Sequence, residues 1–245
     1  MEIIMDLHTH TVHSHGKNTV EQNARAAAMA GMRVLGICEH GPRHAFFAVR
    51  NVPAMEKEAR LASNDAANGG LFVLTGYEFN LLSPKGELDY RKANLRLAGF
   101  HRGVAPKTAA QTWFVTRGFL APKSMRTVMT DAVIAAIETY EIDALTHPGE
   151  YVPVDIAQVA AAAARRGTAL EINESHSIGR KEVETAAGNN AKFIVSSDAH
   201  RADRVGKFPA SECLAEQTGV EHLVFNAQGY SPDGSLRLER LLELL

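Results

Sequence analysis

Short apolar runs alternate with helical segments along the whole chain, and each apolar run ends in a histidine or a carboxylate. The runs lie at 2–7, 33–38, 71–77, 95–100, 143–146, 168–173 and 192–197. Between and beyond them fall alanine-rich or amphipathic stretches at 19–30, 54–67, 124–140, 156–166 and 181–187, two of them stopped by Gly31 and Gly167. Alternation of this kind predicts parallel strands joined by crossover helices. A further weak strand is expected at 222–225 and a terminal helix at 235–245, with Leu238, Leu241, Leu242 and Leu245 on one stripe. That stripe suits packing against the body of the fold, with a homo-oligomer interface as the second reading.

With no linker and no fixed repeat, the 245 residues are expected to form a single domain spanning 1–245. One segment breaks the rhythm. The stretch 102–123 is longer than an ordinary connection and carries Trp113, Phe114 and Phe119, so it is expected to be a lid or cap. Twenty-six basic against 28 acidic residues leave a net charge of −2, which disfavours long nucleic acid as a partner. The opening residues lack the pattern of a secretory signal, and no apolar run reaches membrane-spanning length, so a cytoplasmic protein with no membrane partner is expected.

Eleven histidines against two cysteines point to the chemistry. The strand ends read Asp6-Leu7-His8-Thr9-His10, Glu39-His40, Tyr77-Glu78, Phe100-His101, Thr146-His147, Glu171-Ile172-Asn173 and Ser197-Asp198-Ala199-His200. In a parallel barrel these ends gather on one face, where barrel enzymes build their sites. Imidazole and carboxylate without thiolate suit a catalytic site for zinc, manganese or iron. Strand alternation puts His8 and His10 on one face, and Asp198 and His200 repeat the spacing. The candidates His8, His10, His15, His40, Glu78, His101, His147, Asp198 and His200 are nine, more than one ion can use, so two to three divalent ions are expected. Ions clustered in this way clamp an in-line attack at phosphorus, with a shared hydroxide as nucleophile.

The ordered motifs DLHTHTVHSHG, CEHGP, GYEFN, AGFH, THPG, EINESH and SSDAH resemble the PHP (polymerase and histidinol phosphatase) metal-dependent phosphoesterases, most closely the stand-alone trinuclear branch. The resemblance covers nearly the whole chain. It implies a distorted (β/α)7 TIM-like barrel, which matches the seven strands. By the family pattern His8, His10, Glu78 and Asp198 would hold a first ion, and His15, His40 and His200 a second. His101 and His147 would hold a third, with Glu78 bridging it to the first. Relatives usually carry Asp where this chain has Glu39; neighbouring residues of a strand face opposite ways, so Glu39 is expected to support His40 rather than bind an ion.

The activity expected is hydrolysis of a small phosphorylated metabolite, a phosphate monoester of the histidinol phosphate kind, with Asp198 the carboxylate best placed to manage the proton of the attacking water. The alternatives are a phosphodiesterase or 3'-5' exonuclease and a metal-stabilised scaffold without activity. The amidohydrolases also open on His-x-His, but they lack His40 and Glu78 and commonly place a modified lysine where His101 stands. Arg43, Arg102, Arg180 and Arg201 follow ligand-bearing strand ends, where a guanidinium can grip phosphate in bidentate fashion, and His176 is a candidate substrate contact. The i, i+4 pair His40 and His44 is rejected as a helical metal site because Gly41-Pro42 interrupts any helix. His13 is expected in a loop facing solvent or substrate, His222 at the surface, and Asp6 on the face of His8.

Overall fold

The computed structural model describes residues 1–42, 44, 46–81, 92–101, 126–176 and 178–245. Arg43, Arg102 and the segment 102–123 lie outside the described residues. Seven strands form one sheet in chain order: β1 (Met5–Thr9), β2 (Val34–His40), β3 (Phe72–Asn80), β4 (Leu95–Gly99), β5 (Ala144–Leu145), β6 (Ala169–Asn173) and β7 (Phe193–Ser196). Every neighbouring pair is parallel. The helices described are α1 (Val20–Met29), α2 (Val52–Asn64), α3 (Arg126–Thr139), α4 (Ile156–Arg166), α5 (Arg180–Ala187) and α6 (Pro209–Thr218). The architecture is the (β/α)7 TIM-like barrel that the family resemblance implies.

Local chemistry fixes the helix ends. Thr19 and Gln22 form a reciprocal capping box at the start of α1, each side chain taking the other's backbone N–H. Asp155 caps α4, and Gly167 ends it in the left-handed conformation at φ 67°. Alanine makes up two of the four buried residues of α1 and three of the five of α4.

The barrel closes differently at its two ends. Near the carboxyl ends of the strands, Thr9 bridges Ala199 directly, and His10 N–H donates to Ala199 O at 2.9 Å. Near the amino ends, a short segment fills the seam between β1 and β7. Val224 bridges Phe193, Ala227 bridges Ile3, and buried Asn226 joins both strands. The Asn226 amide donates to Met5 O at 2.7 Å and Val195 O at 2.6 Å, and its carbonyl accepts Val195 N–H at 2.9 Å. The strand expected at 222–225 is therefore a 3-10 turn, Glu221–Leu223, leading into this seam.

Inside the barrel, Met5, Leu7, Val34, Cys38, Leu95, Leu97, Ala144, Ala169 and Ile194 form an apolar layer. The tail closes it from the amino-terminal side. Residues Arg237–Leu244 form a 3-10 helix rather than an α-helix, so Leu238 and Leu241, three apart, stack on one edge and are buried in that layer. Arg240 anchors the tail on buried Asp143 at 2.8 Å and on Asn94 O at 2.7 Å. With the lower barrel filled, the carboxyl end is left for polar side chains.

One irregularity sets up that end. The β1–β2 register slips by one residue between Asp6 and Thr9, the mark of a bulge. Leu7 joins the apolar interior and His8 the polar centre above it, although the two are adjacent. The expected sharing of a face by Asp6 and His8 fails for this reason. Asp6 instead accepts Ser197 N–H at 3.2 Å, Ser197 Oγ–H at 2.6 Å and Gly206 N–H at 2.9 Å, bracing the loop that carries Asp198.

Candidate metal centre

The strand ends bring all nine candidate residues together. His8, His10, Glu78, His101, His147 and Asp198 are each less than 8% exposed, as is His40. His15 and His200 are partly exposed at the mouth. Glu78 lies at the middle. Its Oε2 is 3.0 Å from His101 Nε2, 3.1 Å from His40 Nδ1 and 3.4 Å from His8 Nε2. Its Oε1 takes His147 Nε2 at 2.9 Å and Thr146 Oγ at 2.7 Å. Asp198 Oδ1 stands 3.2 Å from His10 Nε2 and 3.6 Å from His8 Nε2.

Three overlapping sets of ligand atoms each lie within 4.8 Å of one another: His8, His10 and Asp198; His10, His15, His40 and His200; and His40, Glu78 and His101. Such packing crowds polar atoms together without aligning them for hydrogen bonds. His10 Nδ1, His15 Nδ1, His40 Nδ1, His101 Nε2 and Asp198 Oδ1 are buried without a hydrogen-bond partner. Buried polar atoms without partners are costly, and several at one point fit a centre built to hold cations.

Electrostatics favour the ligand form of most of these side chains. Burial pushes His15 down to about 2, helped by His10, His200 and His40. Burial also lowers His40 to about 4 against the pull of Glu78, and His200 to about 4. These rings are neutral at physiological pH, as metal ligands must be. His8, His10 and His147 are the exceptions: burial opposes their charge, but neighbouring carboxylates outweigh it, Asp198, Glu78 and Glu171 raising His8, Asp198 and Glu39 raising His10 to about 9, and Glu78 raising His147. Glu78 and Asp198 stay ionised despite burial because histidines surround them, His101 and His8 for Glu78 and His8 and His10 for Asp198.

Backbone geometry gives the centre its shape. His147 and Asp198 adopt positive φ, 31° and 49°, which side-chain-bearing residues seldom do. Strand β5 ends at Leu145, two residues before the left-handed His147. Gly99 makes room for it, since a Cβ there would sit 2.7 Å from His147 Cε1.

Glu39 stands behind the His10 ring, with Oε2 3.7 Å from Nδ1. It accepts Thr11 N–H at 2.8 Å and the hydroxyls of Thr11 and Ser14, so it clamps the loop between His10 and His15. This is the supporting role expected of it, exerted on the β1 loop rather than on His40. His13 is buried and meets Glu58 Oε2 at 3.0 Å, not solvent or substrate. His222 is exposed, as expected.

A cavity of about 290 Å³ opens over the centre, lined by His44, Phe47, Tyr151 and His176 besides the candidate ligands. His176 lies 3.6 Å from Asp198 Oδ2 and 3.5 Å from the Tyr151 hydroxyl. Arg180 and Arg201 do not reach it: Arg180 pairs with Glu184 at 2.8 Å and Gln217 O at 3.1 Å, and Arg201 with Asp203 at 3.0 Å. Two residues escaped assignment from sequence. His44, correctly excluded from a helical pair, stacks on His40 from a turn, with ring centres 4.9 Å apart. Glu171, seen only as one more polar strand end, bonds His8 Nδ1 at 2.7 Å.

A parallel seven-stranded barrel with imidazoles and carboxylates gathered at the strand carboxyl ends defines the class, and comparison with known proteins agrees: the PHP domain model matches residues 6–147, and the chain belongs to that family. A probable phosphatase of Shewanella sediminis is 32% identical over 89% of this chain and 86% of its own. One from Acetivibrio thermocellus is 29% identical over 92% of both. Among solved structures, histidinol phosphate phosphatase from Lactococcus lactis, complexed with zinc, L-histidinol and phosphate, superposes with a TM-score of 0.68. It covers 95% of this chain and 100% of its own at 14% identity, a likeness of fold. A solved chain described with the metal-dependent tyrosine phosphatases YwqE of Bacillus subtilis and CpsB of Streptococcus pneumoniae gives a TM-score of 0.50 at 18% identity, with 87% of this chain and 86% of its own covered. No helix among the described residues is long and apolar enough to cross a membrane.

Proposed function

We propose that the protein is a metal-dependent phosphatase that hydrolyses a small phosphate monoester. The observation that carries this reading is the set of buried atoms without a hydrogen-bond partner on His15, His40, His101 and Asp198, four residues that line one cavity. His8, His10, Glu78 and Asp198 would hold one divalent ion, His15, His40 and His200 a second, and His101 and His147 a third shared with Glu78. Zinc, manganese or iron in these positions would lower the pKa of bound water towards neutrality and offset charge on phosphate oxygens.

The chain's own groups divide the remaining work. Asp198 lines the cavity, and its carboxylate can receive a proton from the attacking water. His176 and Tyr151, together at the rim, are placed to hold the leaving oxygen. Arg43 and Arg102 stay as candidate phosphate contacts; Arg180 and Arg201, paired on the exterior with Glu184 and Asp203, do not. The cavity is at the small end for a ligand site, which favours a compact ester over a polymer strand.

The test is phosphate release by metal-replete protein across a panel of small monoesters, with a diester and a single-stranded oligonucleotide alongside. Histidinol phosphate heads the panel, because the Lactococcus lactis protein was crystallised with L-histidinol and phosphate. Turnover of at least one monoester well above the diester and the oligonucleotide is expected. Preference for the diester or oligonucleotide would replace the reading with a phosphodiesterase, and no turnover of any ester would leave a scaffold.

A further inference from the structure

Strand β6 supplies none of the nine candidate ligands, yet its two inward-facing polar side chains touch four parts of the centre. Glu171 is fully buried, and each of its oxygens accepts two hydrogen bonds. Oε1 takes His8 Nδ1–H at 2.7 Å and the Ser196 hydroxyl. Oε2 takes His147 N–H at 2.7 Å and the Asn173 amide at 2.8 Å. An ionised carboxylate offers about four acceptor directions. All are used, so Glu171 has none left for an ion.

Asn173 lies two residues along, on the same face. Its amide also donates to Asp198 Oδ2 at 3.2 Å, and its carbonyl accepts the N–H groups of Ser175 at 2.8 Å and His176 at 2.9 Å. The partners are the ones that need holding. His147 and Asp198 are two of the three non-glycine residues at positive φ in the described chain, a backbone state that persists only where surroundings enforce it. His8 has two ring nitrogens, and the bond made by one decides which faces a metal. With Nδ1 on Glu171, Nε2 points at His10, Glu78 and Asp198.

We infer that Glu171 and Asn173 are positioning residues: they bind no ion, but fix the ring of His8, the left-handed backbone of His147 and the direction of Asp198. The inference rests on the reading of this centre as a metal site. A carboxylate behind a metal-bound histidine holds its ring and raises its basicity, and losing one typically costs 10–100-fold in metal affinity.

Glu171→Gln tests this at constant volume. With His8 in its metal-binding tautomer all four partners approach as donors, so the new amide NH2 can be accepted only by a turned Ser196 hydroxyl or by His8 Nδ1 in the tautomer that protonates Nε2 and takes it from the ion. Zinc affinity, measured by competition with a chromophoric chelator, is expected to fall about 10–100-fold while far-UV circular dichroism stays unchanged. At saturating cobalt the variant should show displaced d–d bands, which a merely structural role would not move. Asn173→Ala, which frees Asp198 Oδ2, should weaken zinc by about 10-fold and decides the matter if Glu171→Gln does not fold. Wild-type affinity and wild-type cobalt bands in the variant, even with a lower Tm, would overturn the inference. A wild-type protein that binds neither zinc nor cobalt would instead overturn the metal reading itself, and this inference with it.

Discussion

Replacing Gly99 by alanine puts one methyl group against the centre. Its Cβ would lie 2.7 Å from His147 Cε1, whereas ordinary contact begins at 3.4 Å, so the ring must retreat by about 0.7 Å. Thr146 Oγ is also in its way. Both groups donate to the same Glu78 oxygen, at 2.9 and 2.7 Å, and a retreat of this size stretches those bonds to the edge of hydrogen-bonding range. Overpacking a tight interior costs about 1–3 kcal/mol. In a chain of this length that corresponds to a fall in Tm of about 2–12 °C. Differential scanning calorimetry on chelated and metal-replete protein separates the two consequences. The chelated protein should show the packing cost, and the replete protein a further loss because His147 no longer meets its partner. Unchanged Tm together with unchanged metal content would refute the claim that Gly99 makes room for His147.

Three other outcomes are expected. The double variant His101→Ala/His147→Ala should lose part of the metal complement, read by elemental analysis, and stay folded, since both rings project into the cavity-facing centre rather than the apolar core; unfolding at room temperature would make them structural. Asn226→Leu should destabilise the protein by about 3–5 kcal/mol in urea titration, because three main-chain groups of Met5 and Val195 lose their partner in the barrel seam. A cost below about 1 kcal/mol would show that the seam closes without it. Asp198→Asn should depress turnover by at least about 100-fold at saturating metal, as loss of a general base does, and near-normal turnover would remove Asp198 from proton handling.

The strands were legible because a barrel strand buried on both faces reads as an uninterrupted apolar run. Their limits were less so. The first run suggests 2–7, but β1 continues through His8 and Thr9, whose polar side chains still sit on a paired backbone. The one-residue bulge in β1 leaves no sign in composition, so the orientation of Asp6 was misread. Helix α6 was missed because only Ser211 and Ala215 of its ten residues are buried, too faint a stripe to register. The candidate ligands were visible because their spacing repeats at every strand end. The support beneath them was hidden: that Glu171 faces His8 from across the barrel depends on register between strands distant in sequence. His44 was set aside for want of a helix, and reaches the centre from a turn instead.

The central claim is that the histidine-rich centre hydrolyses phosphate monoesters through bound divalent ions. Its most direct test is inorganic phosphate release from the best monoester of the panel, followed on one preparation before chelation, after chelation, and after stepwise return of metal with the bound ions counted. The account predicts that activity disappears on chelation and returns only as more than one ion per chain is restored. Full activity in the chelated protein, or full recovery at a single ion per chain, would contradict it.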